Sequence, residues 1–228
     1  MQLQALRTGD EPGIRRVFWA TWAAGSPSAE PPAAGRYAEL CLGWYLREGR
    51  DEAAVLRCGG QVVGYALVCV DESALRRWQQ AAALRWAAEA ALVAARPRMA
   101  YARGFLARRA RDALMARRAL SSPPMPAHGH LAVLPGHRRR TGRGLLAHVD
   151  ARCAAAGHPG WYGELVARRG RRAIAAGAAG STVVARLPSA TWTWLRGEPV
   201  DRLVVVRPLA TATVRPLDDG DRVVTEAR

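Results

Sequence analysis

Between His130 and Leu146 a run of strand-forming residues passes into a loop carrying Arg138, Arg139, Arg140 and Arg143, with Thr141, Gly142 and Gly144 among them, before an apolar helical pattern starts. Glycine has no Cβ, so backbone at Gly142 and Gly144 can turn tightly and come close to a ligand. The first amides of a helix have no partner inside it, point outward and carry partial positive charge. Guanidinium forks match phosphate oxygens. Together these features read as an anion cradle with a phosphate as its guest. The spacing is neither that of the nucleotide P-loop nor that of the dinucleotide fingerprint. Just upstream, His128 and His130 alternate, and on a strand both rings lie to one side. Imidazole titrates near neutral pH and can take a proton there. The bland alternative is an ordinary strand-loop-helix joint in an arginine-rich chain.

The segment Arg139-Arg140-Thr141-Gly142-Arg143-Gly144, preceded by Val133-Leu134-Pro135, resembles the acetyl-CoA signature of the GNAT N-acetyltransferases. That signature is Gln/Arg-x-x-Gly-x-Gly/Ala after a strand ending in Val-x-Pro. One residue more than usual separates Pro135 from Arg139, so either the loop bulges or Arg138 takes the place of Arg139. The run Pro126-Ala127-His128-Gly129-His130-Leu131, the hairpin around Gly64-Tyr65 and Arg171-Arg172-Ala173-Ile174 fall where that fold places its strands and last helix. Within the family the chain is similar to bacterial proteins resembling the acetyltransferase-like C-terminal domain of O-GlcNAc hydrolases, where a Pro-Ala-His-x-His run also leads the central strand.

The resemblance implies an α/β fold with a mixed sheet whose central strand parts from its parallel neighbour. Backbone groups of Leu131, Ala132 and Val133 would then bond the pantetheine arm of acetyl-CoA, and the amides of 140–144 its pyrophosphate. Acetyl transfer needs a neutral amine, hence a base, and an acid for the leaving thiolate. His128, His130 and Glu164 are the candidate bases. The family's tyrosine, in a segment like Asn-x-x-Ala-x-x-Phe-Tyr, is replaced here by Gly177, and its asparagine by Gly170. Tyr162 is the candidate substitute acid, provided that its side chain faces the thioester. The reading is therefore an acetyl-CoA-dependent N-acetyltransferase acting on an amine of a small molecule or protein. The alternative is a catalytically silent module that binds acetyl-CoA and engages an acidic partner through the helices of 71–120.

The elements that position these groups follow from periodicity. A first strand is expected near 3–7, and a helix through Ile14, Val17, Phe18 and Trp22 with Asp10 as N-cap. A second helix is expected over 36–47, burying Tyr37, Leu40, Cys41 and Trp44. Gly59-Gly60 sits between two β-rich runs and signals a hairpin. A helical insertion then fills 71–125 between the third and fourth strands, broken at Arg96-Pro97. Its second half carries Arg103, Arg108, Arg109, Arg111, Arg117 and Arg118, read as a solvated face. The helix from Gly142 ends at Gly157, a strand is expected at 161–166, a helix at 171–179, and an antiparallel pair at 181–186 and 203–207. Residues 1–208 read as one domain and 209–228 as a tail.

With 228 residues, half of them hydrophobic, the chain can bury one substantial core. No apolar run is long enough to span a bilayer, and a cytoplasmic location without membrane partners is expected. The formal charge of +15 comes from 34 basic residues, all arginine. That composition is the stamp of a GC-rich coding sequence, so no dedicated nucleic-acid role is assigned. Cys41, Cys58, Cys69 and Cys153 are scattered without metal-ligand spacing, are expected as buried thiols, and no metal is expected. Glu39, Glu48, Asp71 and Glu72 read as surface charges. A homodimer is left open.

Overall fold

The computed structural model describes residues 1–22, 30–119, 123–168 and 180–209, with only the backbone described at 119 and 138–140. The expected helix at 171–179, with Gly170 and Gly177, and nearly all of the tail lie outside the described residues. Among the described residues the strands are β1 Gln2–Ala5, β2 Ala54–Cys58, β3 Gln61–Cys69, β4 His128–Val133, β5 Gly160–Arg168, β6 Thr182–Pro188 and β7 Val200–Pro208. They form one sheet in the order β1-β2-β3-β4-β5-β7-β6. Every neighbouring pair is antiparallel except β4 and β5. The β2–β3 turn uses Gly59 and Gly60 at φ +55° and +76°, values that glycine adopts without strain.

The sheet is covered on both faces, so its central strands are apolar without interruption. Val55, Tyr65 and Leu67 point to one side, toward α1 Glu11–Trp22 and α2 Ala34–Leu46. Leu56, Ala66 and Val68 point to the other, onto Leu145, Val149 and Cys153 of α5 Gly142–Ala155. Helix α1 buries Ile14, Val17, Phe18 and Trp22, the stripe expected from their spacing. The Asp10 side chain accepts from the Arg7 amide at 2.8 Å and pairs with Arg57.

The insertion is a helical hairpin, α3 Glu72–Ala95 and α4 Ala100–Ala119. The helices part at Arg96-Pro97, as expected where proline follows a residue pushed to extended backbone. Asp71 caps α3 by accepting from the Ala74 amide at 3.0 Å. Far from being an appendage, the hairpin completes the core. Phe105 is fully buried, and the Trp86 indole donates to Pro32 O at 2.9 Å. A further helix, α6 Ala190–Arg196, joins β6 to β7. Of the cysteines, Cys69 and Cys153 are buried, but Cys41 is half-buried and Cys58 exposed on the hairpin, which corrects the expectation of four buried thiols.

Candidate active site

Strands β4 and β5 touch at one register pair, His128 with Tyr162, where the Tyr162 amide donates to Ala127 O at 2.9 Å. Beyond it no further pairing joins them among the described residues. Two glycines flank the parting. A Cβ on Gly129 would meet the Trp161 ring at 2.8 Å, and one on Gly163 would meet Gly129 O at 3.0 Å. On the other side β4 pairs with β3 along its whole length. Since Leu134 N donates to Val63 O, alternation turns the backbone of Ala132 toward β3 and that of Leu131 and Val133 toward the gap.

The gap leads to the start of α5. Residues Pro135–Arg140 wind into a 3-10 turn, tied by His137 N to Leu134 O at 2.9 Å and by the Thr141 hydroxyl to His137 O at 2.7 Å. Gly142, Arg143 and Gly144 are exposed, and a Cβ on either glycine would meet open space. The first turn of α5 thus presents its amides at an exposed surface among the described residues, next to the mouth of the gap.

A cavity of about 830 Å³ passes through the parting, with Leu131, Val133, Gly142 and Leu146 on one side and Phe18, Tyr37, Tyr45 and Trp192 on the other. His128, His130, Tyr162 and Glu164 all stand on its wall. On β4 the alternation that sends Leu131 toward α5 sends both histidines toward α1 and α2. His128 Nδ1 lies 2.5 Å from the Tyr45 hydroxyl, and its ring packs edge-on against Tyr162. His130 Nε2 is 3.5 Å from the Tyr65 hydroxyl, the long limit of a hydrogen bond, and its ring packs edge-on against Phe18. Burial pulls both imidazoles down to about 4, with nearby Glu164 pulling the other way and His128 adding to the depression of His130. Both rings are therefore neutral at pH 7. Glu164 is exposed at the rim and accepts from Arg202 at 3.1 Å. The Tyr162 hydroxyl donates to Glu72 Oε1 at 2.7 Å.

Glu72 corrects the reading of it as a surface charge, for only 7% of it is exposed. Its Oε2 is buried without a partner among the described residues. Burial raises its carboxyl above the usual range, although Tyr162 acts against this. Glu72 also lines a second hollow of about 730 Å³, so its bond to Tyr162 connects that hollow to the central cavity. The signal was available in the register, because Cys69 lies opposite His128 and His128 opposite Tyr162, which brings the start of α3 to the closed end of the gap.

The arginines of α4 are likewise not one solvated face. Arg103 donates to Ala94 O at 3.0 Å, and Arg108 stacks on Trp194 with 4.4 Å to the ring centroid. Arg109 turns into the cavity, 5.8 Å from the Tyr37 ring centroid. Arg117 and Arg118 are exposed as expected. Cys41 also faces the cavity, but burial pushes its thiol up to about 12, which leaves it protonated. Among the described residues there is no cluster of three metal-ligating side chains, and no helix long and apolar enough to cross a membrane.

A mixed sheet whose central strands part beside a glycine-flanked helix start is the GNAT acetyltransferase fold. No family model matches the sequence, and no curated protein matches it. Solved structures similar to this chain include that of SsHAT, at 18% identity and TM-score 0.58, covering 91% of this chain and 97% of that one. Another is an agmatine N-acetyltransferase mutant in its apo form, at 18% identity and TM-score 0.54, covering 91% and 99%. A third is yncA, a putative acetyltransferase from Salmonella typhimurium solved with its cofactor acetyl-CoA, at 15% identity and TM-score 0.51, covering 94% and 97%. At such identities the likeness is one of fold.

Proposed function

We propose that the chain is an acetyl-CoA-dependent N-acetyltransferase of the GNAT family, similar at its Pro126-to-Leu131 run to the acetyltransferase-like domains of O-GlcNAc hydrolases. The observation that carries this reading is the cavity through the β4–β5 parting, which joins an open helix start to a wall of neutral imidazoles. The residues fit the co-substrate. Leu131 and Val133 direct backbone groups into the gap, where the pantetheine arm would lie as a surrogate strand. The first amides of α5, with Arg138, Arg139, Arg140, Thr141 and Arg143 around them, would hold the pyrophosphate. Gly142 and Gly144 leave the space that this requires. When bound, acetyl-CoA supplies a thioester carbonyl as electrophile.

The protein's task is then proton management. His130 is the base, since its ring is neutral and its single hydroxyl neighbour among the described residues is at the long limit of a hydrogen bond. His128 is engaged by Tyr45, whose hydroxyl, held protonated by burial, shares a hydrogen bond with Nδ1. Glu164 stabilises positive charge arriving on either imidazole. Tyr162 faces the cavity, gives its proton to the thiolate and is reprotonated by the carboxyl of Glu72, so this pair serves as acid in place of the family tyrosine. Transfer forms the new C–N bond, breaks the C–S bond, moves the amine proton to His130 and returns one to the thiolate sulfur.

The test is thermal denaturation with and without saturating acetyl-CoA, followed by release of free thiol on addition of an amine panel. Stabilisation with thiol release supports the enzyme. Stabilisation without turnover across the panel favours the silent binding module, and no stabilisation removes both.

A further inference from the structure

Arg109 stands on the helical insertion, far from the α5 cradle in sequence, yet its guanidinium reaches the wall of the central cavity over the Tyr37 ring. Among the described residues it has neither a hydrogen-bonding partner nor a carboxylate at ion-pair distance. The two carboxylates that it senses are both engaged. Asp112 accepts from the Ser189 hydroxyl at 2.8 Å and from the Ala190 and Thr191 amides at 2.7 and 3.2 Å, which fixes the start of α6. Glu164 accepts from Arg202. Arg202 lines the same cavity, and its Nε is buried without a partner among the described residues. The histidines add no charge at neutral pH. Asp112 and Glu164 balance the two guanidiniums in charge, yet neither lies within ion-pair distance of Arg109, so its N–H donors face the cavity without an acceptor among the described residues, which is costly for a half-buried ion.

We propose that the substrate supplies the missing oxygen partner: it is an amine that also carries a carboxylate, on an apolar or aromatic frame, with the carboxylate seated on Arg109 beside Arg202. The inference rests on the acetyltransferase reading and names its substrate class. Phe18, Trp22, Tyr37 and Trp192 provide flat apolar walls for the frame. A diamine would leave the Arg109 donors without an oxygen partner.

The test measures binding of indole-3-propionate and of its neutral primary amide by calorimetry, to the protein alone and to the protein saturated with coenzyme A. The carboxylate is expected to bind at least about tenfold tighter than the amide, a difference of about 1.4 kcal/mol. Arg109→Gln removes that preference and Arg109→Lys retains part of it, while acetyl-CoA still raises the melting temperature of both variants. Equal affinities in the wild type, no binding of either probe, or a preference surviving in Arg109→Gln would overturn the assignment. The wild-type comparison stands even where a variant fails to fold. Loss of acetyl-CoA stabilisation in the wild type would instead sink the acetyltransferase reading, and is read from the separate melting experiment.

Discussion

At the level of single residues, the proposed chemistry rests on groups whose charge is set by burial. His130→Gln keeps the ring's approximate volume and polarity but removes the proton acceptor. We expect kcat to fall by about 10²-fold or more, the usual worth of a positioned base, with the acetyl-CoA dissociation constant unchanged within about twofold. A loss in cofactor affinity with kcat unaltered would assign His130 to packing. Glu72→Gln preserves an acceptor for the Tyr162 hydroxyl but cannot store a proton. It should lower kcat and flatten the alkaline side of the pH-rate profile, and Tyr162→Phe should lower kcat, read as thiol release, in the same way, since both act on one proton path. None of this was visible at Glu72 from the sequence, because a glutamate beside an N-cap aspartate ordinarily faces water. Only the strand register places it against Tyr162. His128 and His130 were legible because an alternating pair on a strand must share a side.

At the level of elements, the loop and helix start were legible from glycine punctuation, and the β2–β3 hairpin from Gly59-Gly60 between two β-rich runs. The helix α6 was not. Its seven residues, rich in Thr and Trp, carry no helical period, and its start depends on Asp112, 77 positions before Ser189. Asp112→Ala should therefore destabilise the fold by roughly 2–4 kcal/mol, since it leaves several buried donors without an acceptor. A change under about 0.5 kcal/mol in chemical denaturation would show that the helix stands without it. The inward turn of Arg109 was equally hidden, as an arginine-rich helix has no pattern that marks one guanidinium for a cavity. The Leu131 and Val133 backbone was separable from that of Ala132 only once the pairing with β3 was known.

At the level of the whole molecule, two half-buried neutral histidines make the fold acid-sensitive. Their folded values lie near 4 against an ordinary 6.5, so over that interval the unfolded chain binds protons that the folded chain excludes. Stability is thus fully present above about pH 6.5 and declines as pH falls toward 4, by up to roughly 3 kcal/mol for each ring. The raised carboxyl of Glu72 opposes part of this, because it takes up its proton earlier in the folded state. Replacing both histidines with Gln should reduce the slope of melting temperature against pH in that window, and an unchanged slope would deny their burial as neutral groups. The central claim, that the parting of β4 and β5 and the α5 start together form an acetyl-CoA site, has a more direct test. Gly142→Trp adds a side chain where a Cβ meets open space, so the fold should melt as the wild type does. Isothermal titration with acetyl-CoA should give a one-to-one isotherm for the wild type and none for this variant. A wild type that takes up no acetyl-CoA, or a tryptophan variant that binds it equally well, would contradict the account.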